Sequence, residues 1–202
     1  MVKQKNMKVL HIIPSAFDYF ADIHSEAFKL LEEESAFGIE ADAVVIEYGG
    51  VIKTEVSEVK KIAPSRKYIG QESFEENIQA WDYYDVINLH CPFFGVADKI
   101  LQWLKDHPEK KFIITYHRDF KSPDFFGYLI KFYNYYYLPK LFGIAQFVVF
   151  FADRYDLSVT GIKMLKNNDK IAVLGLPREE DDIHNPSIAE DLVIVYNSLT
   201  IK

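Results

Sequence analysis

Cysteine is almost missing from this chain. Cys91 is the one cysteine in 202 residues, so no disulfide can close within the chain. Long hydrophobic runs are also missing: no stretch of about 18 apolar residues is free of charge, and no spanning helix is expected. The apolar segment behind the first lysines is broken by Pro14 and Asp18. A secretory leader is therefore not expected, and a cytoplasmic location is. Basic surplus is absent, since the formal net charge is −7; a nucleic-acid partner is not expected. The turn after the first apolar run, "PSAFDYFADIH", lacks glycine. A dinucleotide pyrophosphate needs glycines there to approach the backbone closely, so no bound nucleotide cofactor is expected at that turn.

What is present suits a packed domain. Apolar residues make up 49% and charged residues 26%, which argues against disorder. Acidic residues gather in "LEEESAFGIE" and "PREEDDIHNPSIAED", opposite in sign to the N-terminal "MVKQKNMK". These read as solvated surface.

Apolar runs alternate with helical periodicity along the chain. "MKVLHIIPS", "ADAVVIEY", "YDVINLHCP", "KKFIITYH", "AQFVVFFA" and "DKIAVLG" read as strands. "DIHSEAFKLLEEE", with Asp22 as its cap, "SFEENIQAW", with Ser73 and Glu76 as a capping box, "GVADKILQWLKDH", "FFGYLIKFYNYYYLPKLFG" and "RYDLSVTGIKMLK" read as helices. Residues 51–70 have no regular pattern. The strands are continuous Val/Ile/Phe runs rather than alternating ones, as in a parallel sheet covered on both faces. The expected fold is α/β, a doubly wound, mostly parallel sheet in a single Rossmann-like domain over residues 1–177. Residues 178–202 read as an acidic linker followed by a terminal strand at Leu192 to Tyr196.

Ligands of such sheets bind at the carboxyl ends of the strands. Ser15 follows the first strand, His90 and Cys91 the third, His117, Arg118 and Asp119 the fourth, and Arg154 the fifth. A histidine at such an end can donate to a sugar hydroxyl or a phosphate oxygen, or simply finish a strand against water or a carbonyl. Arg118 suits a forked contact with phosphate, or a pair with Asp119 or Asp124. His90, Cys91 and His117 could converge on a metal. Neighbours along a strand point to opposite faces, however, so no metal site is expected. No base stands at a fixed offset from Cys91 to make it a nucleophile.

The helix over 125–143 is apolar nearly all round, with Lys131, Asn134 and Lys140 as its main polar members. One face can be given to the sheet. The rest suits a partner, a homodimer, a second domain or a membrane surface, where Tyr and Lys keep their polar tips wet.

Taken in order, "MKVLHIIPS", "YDVINLHCPF", "KKFIITYHRDF", "AQFVVFFADRYDLSV" and "DKIAVLGLP" resemble the amino-terminal domain of the retaining glycosyltransferases called family four. The resemblance covers roughly Met7 to Pro177. In that family a strand ends in D-V-h-x-x-H (h being apolar), the next in T-x-H-D, and V-I-P-N-G closes the domain. "DVINLH", "TYHRD" and "IAVLGLP" stand in those places. The resemblance implies that His117 faces a donor sugar and His90 lines the acceptor side, with Arg154 near the mouth of the cleft. It implies a nucleotide-sugar donor rather than a cofactor, a glycan or lipid-linked acceptor, and a donor-binding half supplied in trans, in a longer parent, or lost. The chain departs from the pattern in lacking the family's Gly-Gly pair in the first turn and its closing asparagine. Glu26 and Glu34 have the E-x7-E spacing of the family's second domain but fall on the first helix, where the match reads as coincidence. The closing "DLVIVY" is expected either to open a second domain or to add an edge strand. A non-catalytic glycan- or partner-binding module on the same fold is the alternative function, and an unrelated Rossmann-like phosphate binder a third.

Overall fold

The computed structural model describes residues 7–14, 20–47, 66–70, 79–120, 124–155, 160–165, 168–175 and 187–199. Among them run β1 (Lys8–Pro14), α1 (Ala21–Ser35), β2 (Glu40–Glu47), β3 (Arg66–Gly70), β4 (Val86–Cys91), α2 (Ala97–Asp106), β5 (Lys111–Tyr116), α3 (Phe125–Ile144), β6 (Phe147–Phe151), α4 (Thr160–Met164), β7 (Ile171–Leu174) and α5 (Ile188–Ser198). Short 3₁₀ turns lie at Gln79–Tyr83, Ala152–Arg154 and Asn168–Lys170.

The strands form one seven-stranded sheet in the order β3-β2-β1-β4-β5-β6-β7, and every pairing is parallel. This is the expected doubly wound α/β domain. β1, β4 and β5 are its centre. Their burial follows from composition: Val, Ile, Leu and Phe supply both faces of each strand.

The two faces differ. Leu10, Ile12, Ile87, Leu89, Cys91, Phe112 and Ile114 pack under α2 and α3 in an apolar core. On the other face Val9, Ile13, Val86, Ile113 and Val149 pack under α1 and α5. That second face also carries a row of buried polar side chains, His11, Asn88, His90, Thr115 and His117.

The closing segment corrects an expectation. Leu192 to Tyr196 is not a strand but the middle of α5. Short apolar runs such as "LVIVY" are ambiguous by pattern alone. The decisive signal is Ser187, whose hydroxyl accepts from the Glu190 amide at 3.2 Å, the S-x-x-E pattern of a helix start. Ala189, Leu192 and Tyr196, three and four residues apart, then form the buried face, while Ile194 points outward. The segment does not extend the sheet as a strand; it covers one face of it as a helix.

Other boundaries also move. β3 lies in the stretch expected to be irregular, because an edge strand of five residues led by Arg66 and Lys67 has no long apolar run to announce it. Phe20, not Asp22, caps α1; Asp22 sits in the first turn. Of the expected helix over 73–81, residues 73–78 lie outside the described residues, including both members of the capping box. Of the helix expected from Arg154, only Thr160–Met164 is described as helix.

Candidate functional site

In a doubly wound sheet the crevice opens at the carboxyl ends of the strands where the order reverses, here between β1 and β4. His90 stands one residue from the end of β4 and His117 directly follows β5. The two imidazoles meet: His90 Nδ1 is 2.8 Å from His117 Nε2. His11, on β1, joins from the other side, with its Nδ1 2.9 Å from His90 Nε2. Period-2 alternation places all three on the α1 face of three adjacent strands.

Each end of this row is closed by a glutamate of α1. His11 Nε2 lies 3.1 Å from Glu34 Oε2, and His117 Nδ1 lies 2.9 Å from Glu26 Oε2. Glu34 is fully buried, whereas the Glu26 side chain is 35% exposed. Eight helical residues rise about 12 Å, comparable with the two strand spacings of about 4.8 Å that separate His11 from His117. The inner end continues sideways. Tyr196 of α5 donates to Glu34 Oε1 at 3.3 Å and accepts from Asn88 Nδ2 at 3.1 Å. Thr115 donates to Asn88 Oδ1 at 2.9 Å.

Proton counting constrains the row. Four hydrogen bonds link five groups, and each bond needs one proton. Three neutral imidazoles supply three. The fourth belongs to a carboxyl group or makes one imidazole cationic. Burial, reinforced by the neighbouring His117 and His11, pushes the His90 pKa well below its ordinary value, so His90 is neutral. Burial, and then the Glu34 carboxylate, raises the Tyr196 pKa well above that of a free phenol, which keeps its hydroxyl a donor.

The other sequence-predicted residues are placed as follows. Arg118 pairs with Asp22 of α1, its Nη2 2.9 Å from Oδ1 and its Nε on Oδ2, a partner the sequence reading did not name. Asp119 accepts from Tyr116 Oη at 2.9 Å and from the amide and hydroxyl of Thr160 at 3.0 and 2.9 Å, tying the end of β5 to the start of α4. Arg154 ends the 3₁₀ turn behind β6, and its side chain lies outside the described residues, as does Ser15. Cys91 is buried on the opposite, apolar face from His90, and burial raises its thiol pKa well above the ordinary value, which withholds the thiolate. Among the described residues no group of three or more His, Cys, Asp and Glu side chains is placed to hold a metal ion.

Sequence reading missed His11, Glu34, Asn88 and Tyr196, and took Glu26 with Glu34 as coincidence. The available signal was parity. His11, Asn88, His90 and Thr115 are polar positions in otherwise apolar strands, and all share one face.

Two cavities lie near the carboxyl ends of the strands, one on each side of the sheet, and only the smaller is lined by a member of the row, Glu26. One, of about 460 Å³, lies between the end of β5 and α3 and is lined by Tyr116, Asp119, Tyr128, Lys131, Phe132 and Tyr135, among others. The other, of about 240 Å³, is lined by Glu26, Lys29, Glu33, Phe151, Asp153 and Ile188, among others. The outward face of α3 is a stripe of exposed aromatic side chains, with Phe125 at 79%, Phe132 at 70% and Tyr135 at 68% exposure. Lys140 lies over the Tyr136 ring, 3.4 Å from its centroid. Among the described residues no helix is long and apolar enough to cross a membrane.

No family model matches the chain, and no curated protein matches it by sequence.

Proposed function

We propose that this chain is the acceptor-side domain of a sugar-nucleotide-dependent glycosyltransferase, working with a donor-binding half supplied in trans or in a longer parent. The observation that carries the reading is the meeting of His90 and His117 at the carboxyl ends of adjacent central strands, close to the point where the strand order reverses. In this reading the protein's work is to hold two substrates and to stabilise a leaving diphosphate. His117 orients the donor sugar, whose hydroxyl exchanges with Glu26 at Nδ1. His90, with both ring nitrogens already engaged inside the fold, fixes the His117 ring instead of touching the acceptor. Arg118 serves phosphate by exchanging its Asp22 partner, and Arg154 stands at the mouth of the cleft.

The acceptor is a glycan or a lipid-linked sugar. The 460 Å³ cavity falls in the size range of small-molecule sites and lies beside the aromatic stripe of α3. Residues 125–143 contain no acidic residue, although the whole chain carries a net charge of −7. Tyrosine, phenylalanine and two lysines on one helix suit the boundary layer of an anionic membrane, with the protein lying on it rather than through it. A cytoplasmic, peripherally bound protein fits that arrangement.

A non-catalytic binding module is the second reading. It is favoured by the internal pairing of His90, His117 and Arg118, which leaves these groups satisfied without a ligand.

Calorimetric titration with UDP- and GDP-sugars, in the presence of vesicles containing a polyprenyl phosphate sugar, tests the first reading. Donor binding weakened at least tenfold by His117→Ala supports it. Vesicle or glycan binding that is unchanged in that variant, with no donor bound in any combination, supports the module instead.

A further inference from the structure

We propose that Glu26, His117, His90, His11 and Glu34 form a proton-relay site, with Glu26 as its port. The geometry carries this. Four consecutive contacts of 2.8 to 3.1 Å join two carboxyl groups through three imidazoles, each bonded through both ring nitrogens. His11 and His90 are fully buried and His117 is 1% exposed, so no link between the two ends meets solvent. Glu26 does, at the 240 Å³ cavity.

The transfer balances without any co-reactant. In one state Glu34 holds the extra proton, every imidazole carries its proton on Nδ1, and Glu26 is a carboxylate. A shift along the row passes the Glu34 proton to His11 Nε2. The Nδ1 protons of His11, His90 and His117 move to His90 Nε2, His117 Nε2 and Glu26 in turn. One bond to hydrogen breaks and one forms at each of the four links. Glu34 becomes the carboxylate, Glu26 the acid, and every imidazole now carries its proton on Nε2. No electron pair leaves the system, and one unit of negative charge has moved from the cavity to the interior. This is the behaviour of a hydrogen-bonded chain in which each member both donates and accepts.

The surrounding groups set the balance between the two states. Lys29, Glu33 and Asp153 face the port from α1 and from the turn behind β6. Tyr196 faces the inner carboxyl group from α5 and holds one of its oxygens. Asn88 and Thr115, from β4 and β5, are uncharged and complete the floor.

Because every bond needs one proton, His11, His90 and His117 must share one tautomer while all three are neutral. Nitrogen-15 NMR of the histidine rings in the full chain reads this directly across a pH series. The expected result is a common tautomer for His11, His90 and His117 at each pH at which all three are neutral. Glu26→Gln, at the exposed end, is expected to change the tautomer or its switching pH at His11, two imidazoles away. Glu34→Gln is expected to do the same at His117. Opposite tautomers at any two of His11, His90 and His117, with all three rings neutral, would overturn the proposal. So would a Glu26→Gln change confined to His117, which is measurable even where the buried Glu34 variant fails to fold.

Discussion

Tyr196 donates its hydroxyl to Glu34 across 162 positions of sequence, at 3.3 Å, while the same oxygen accepts from Asn88. Helix α5 thus closes the polar floor beneath α1. Tyr196→Phe leaves Asn88 Nδ2 without that acceptor and Glu34 Oε1 without that donor, both in the interior. An unmet buried polar group costs about 1–3 kcal/mol. The expected outcome is a lower midpoint of urea unfolding at unchanged slope. A variant as stable as the parent would mean that water reaches this floor.

The sheet was legible in the sequence because its strands are continuous apolar runs bounded by Pro, Gly and Asp. Buried strands leave little room for another composition. The site was only half legible. His90 and His117 stood at strand ends, where position alone marks them, and Glu26 and Glu34 stood out only by a spacing that seemed accidental. His11 lies within a strand, and its meaning depends on β1 pairing with β4, a contact across 79 positions that no local pattern encodes. α5 was misread because "LVIVY" suits a strand by propensity, and β-branched residues are only slightly worse in a helix. Packing of Leu192 and Tyr196 against the sheet decided the matter.

Gly161, in α4, packs directly on the Tyr116 ring. A Cβ placed there would stand 2.9 Å from Tyr116 Cζ and 3.0 Å from both adjoining ring carbons. The ring has little freedom to retreat. It is buried, its hydroxyl is held by Asp119, and Phe150 lies beside it. Gly161→Ala is expected to destabilise by about 1–3 kcal/mol, the usual cost of overpacking. The same change in a Tyr116→Leu background is expected to cost less, because the obstructing ring atoms are gone. Equal costs in the two backgrounds would show that the strain arises elsewhere.

Arg118 and Asp22 join the end of β5 to the first turn of α1. Partial burial works to raise the Asp22 pKa, but the hydrogen bond and charge of Arg118 outweigh it, and the carboxyl group titrates below its ordinary value. A depressed carboxylate pKa adds stability above the unfolded value, about 3.9, which is lost as pH falls through the folded value. The side chains are 30% and 49% exposed, so the pair is worth on the order of 0–1 kcal/mol and weakens in salt. Arg118→Met should raise the Asp22 pKa, as read by carbon-13 NMR of its carboxyl group. Its small stability deficit near neutral pH should vanish in acid; a deficit that persists there would assign it to lost packing of the arginine stem.

His90 carries the clearest pH signature. Its folded pKa lies well below the ordinary histidine value, because burial and two neighbouring imidazoles oppose a cation there. The unfolded chain binds a proton at this ring as pH falls through about 6.5, and the folded chain does not. The unfolded state then holds more protons, so stability is greatest above 6.5 and declines below it, until the folded value is reached. One such ring gives a loss of about 1 kcal/mol between pH 6.5 and 5.5. Urea unfolding at pH 7.5, 6.5 and 5.5, with histidine ring NMR on the folded chain at each pH, checks both halves of the claim. The midpoint should fall with pH while the His90 ring stays neutral. A His90 ring that becomes doubly protonated near pH 6 without unfolding would show that the interior tolerates a cation at this position.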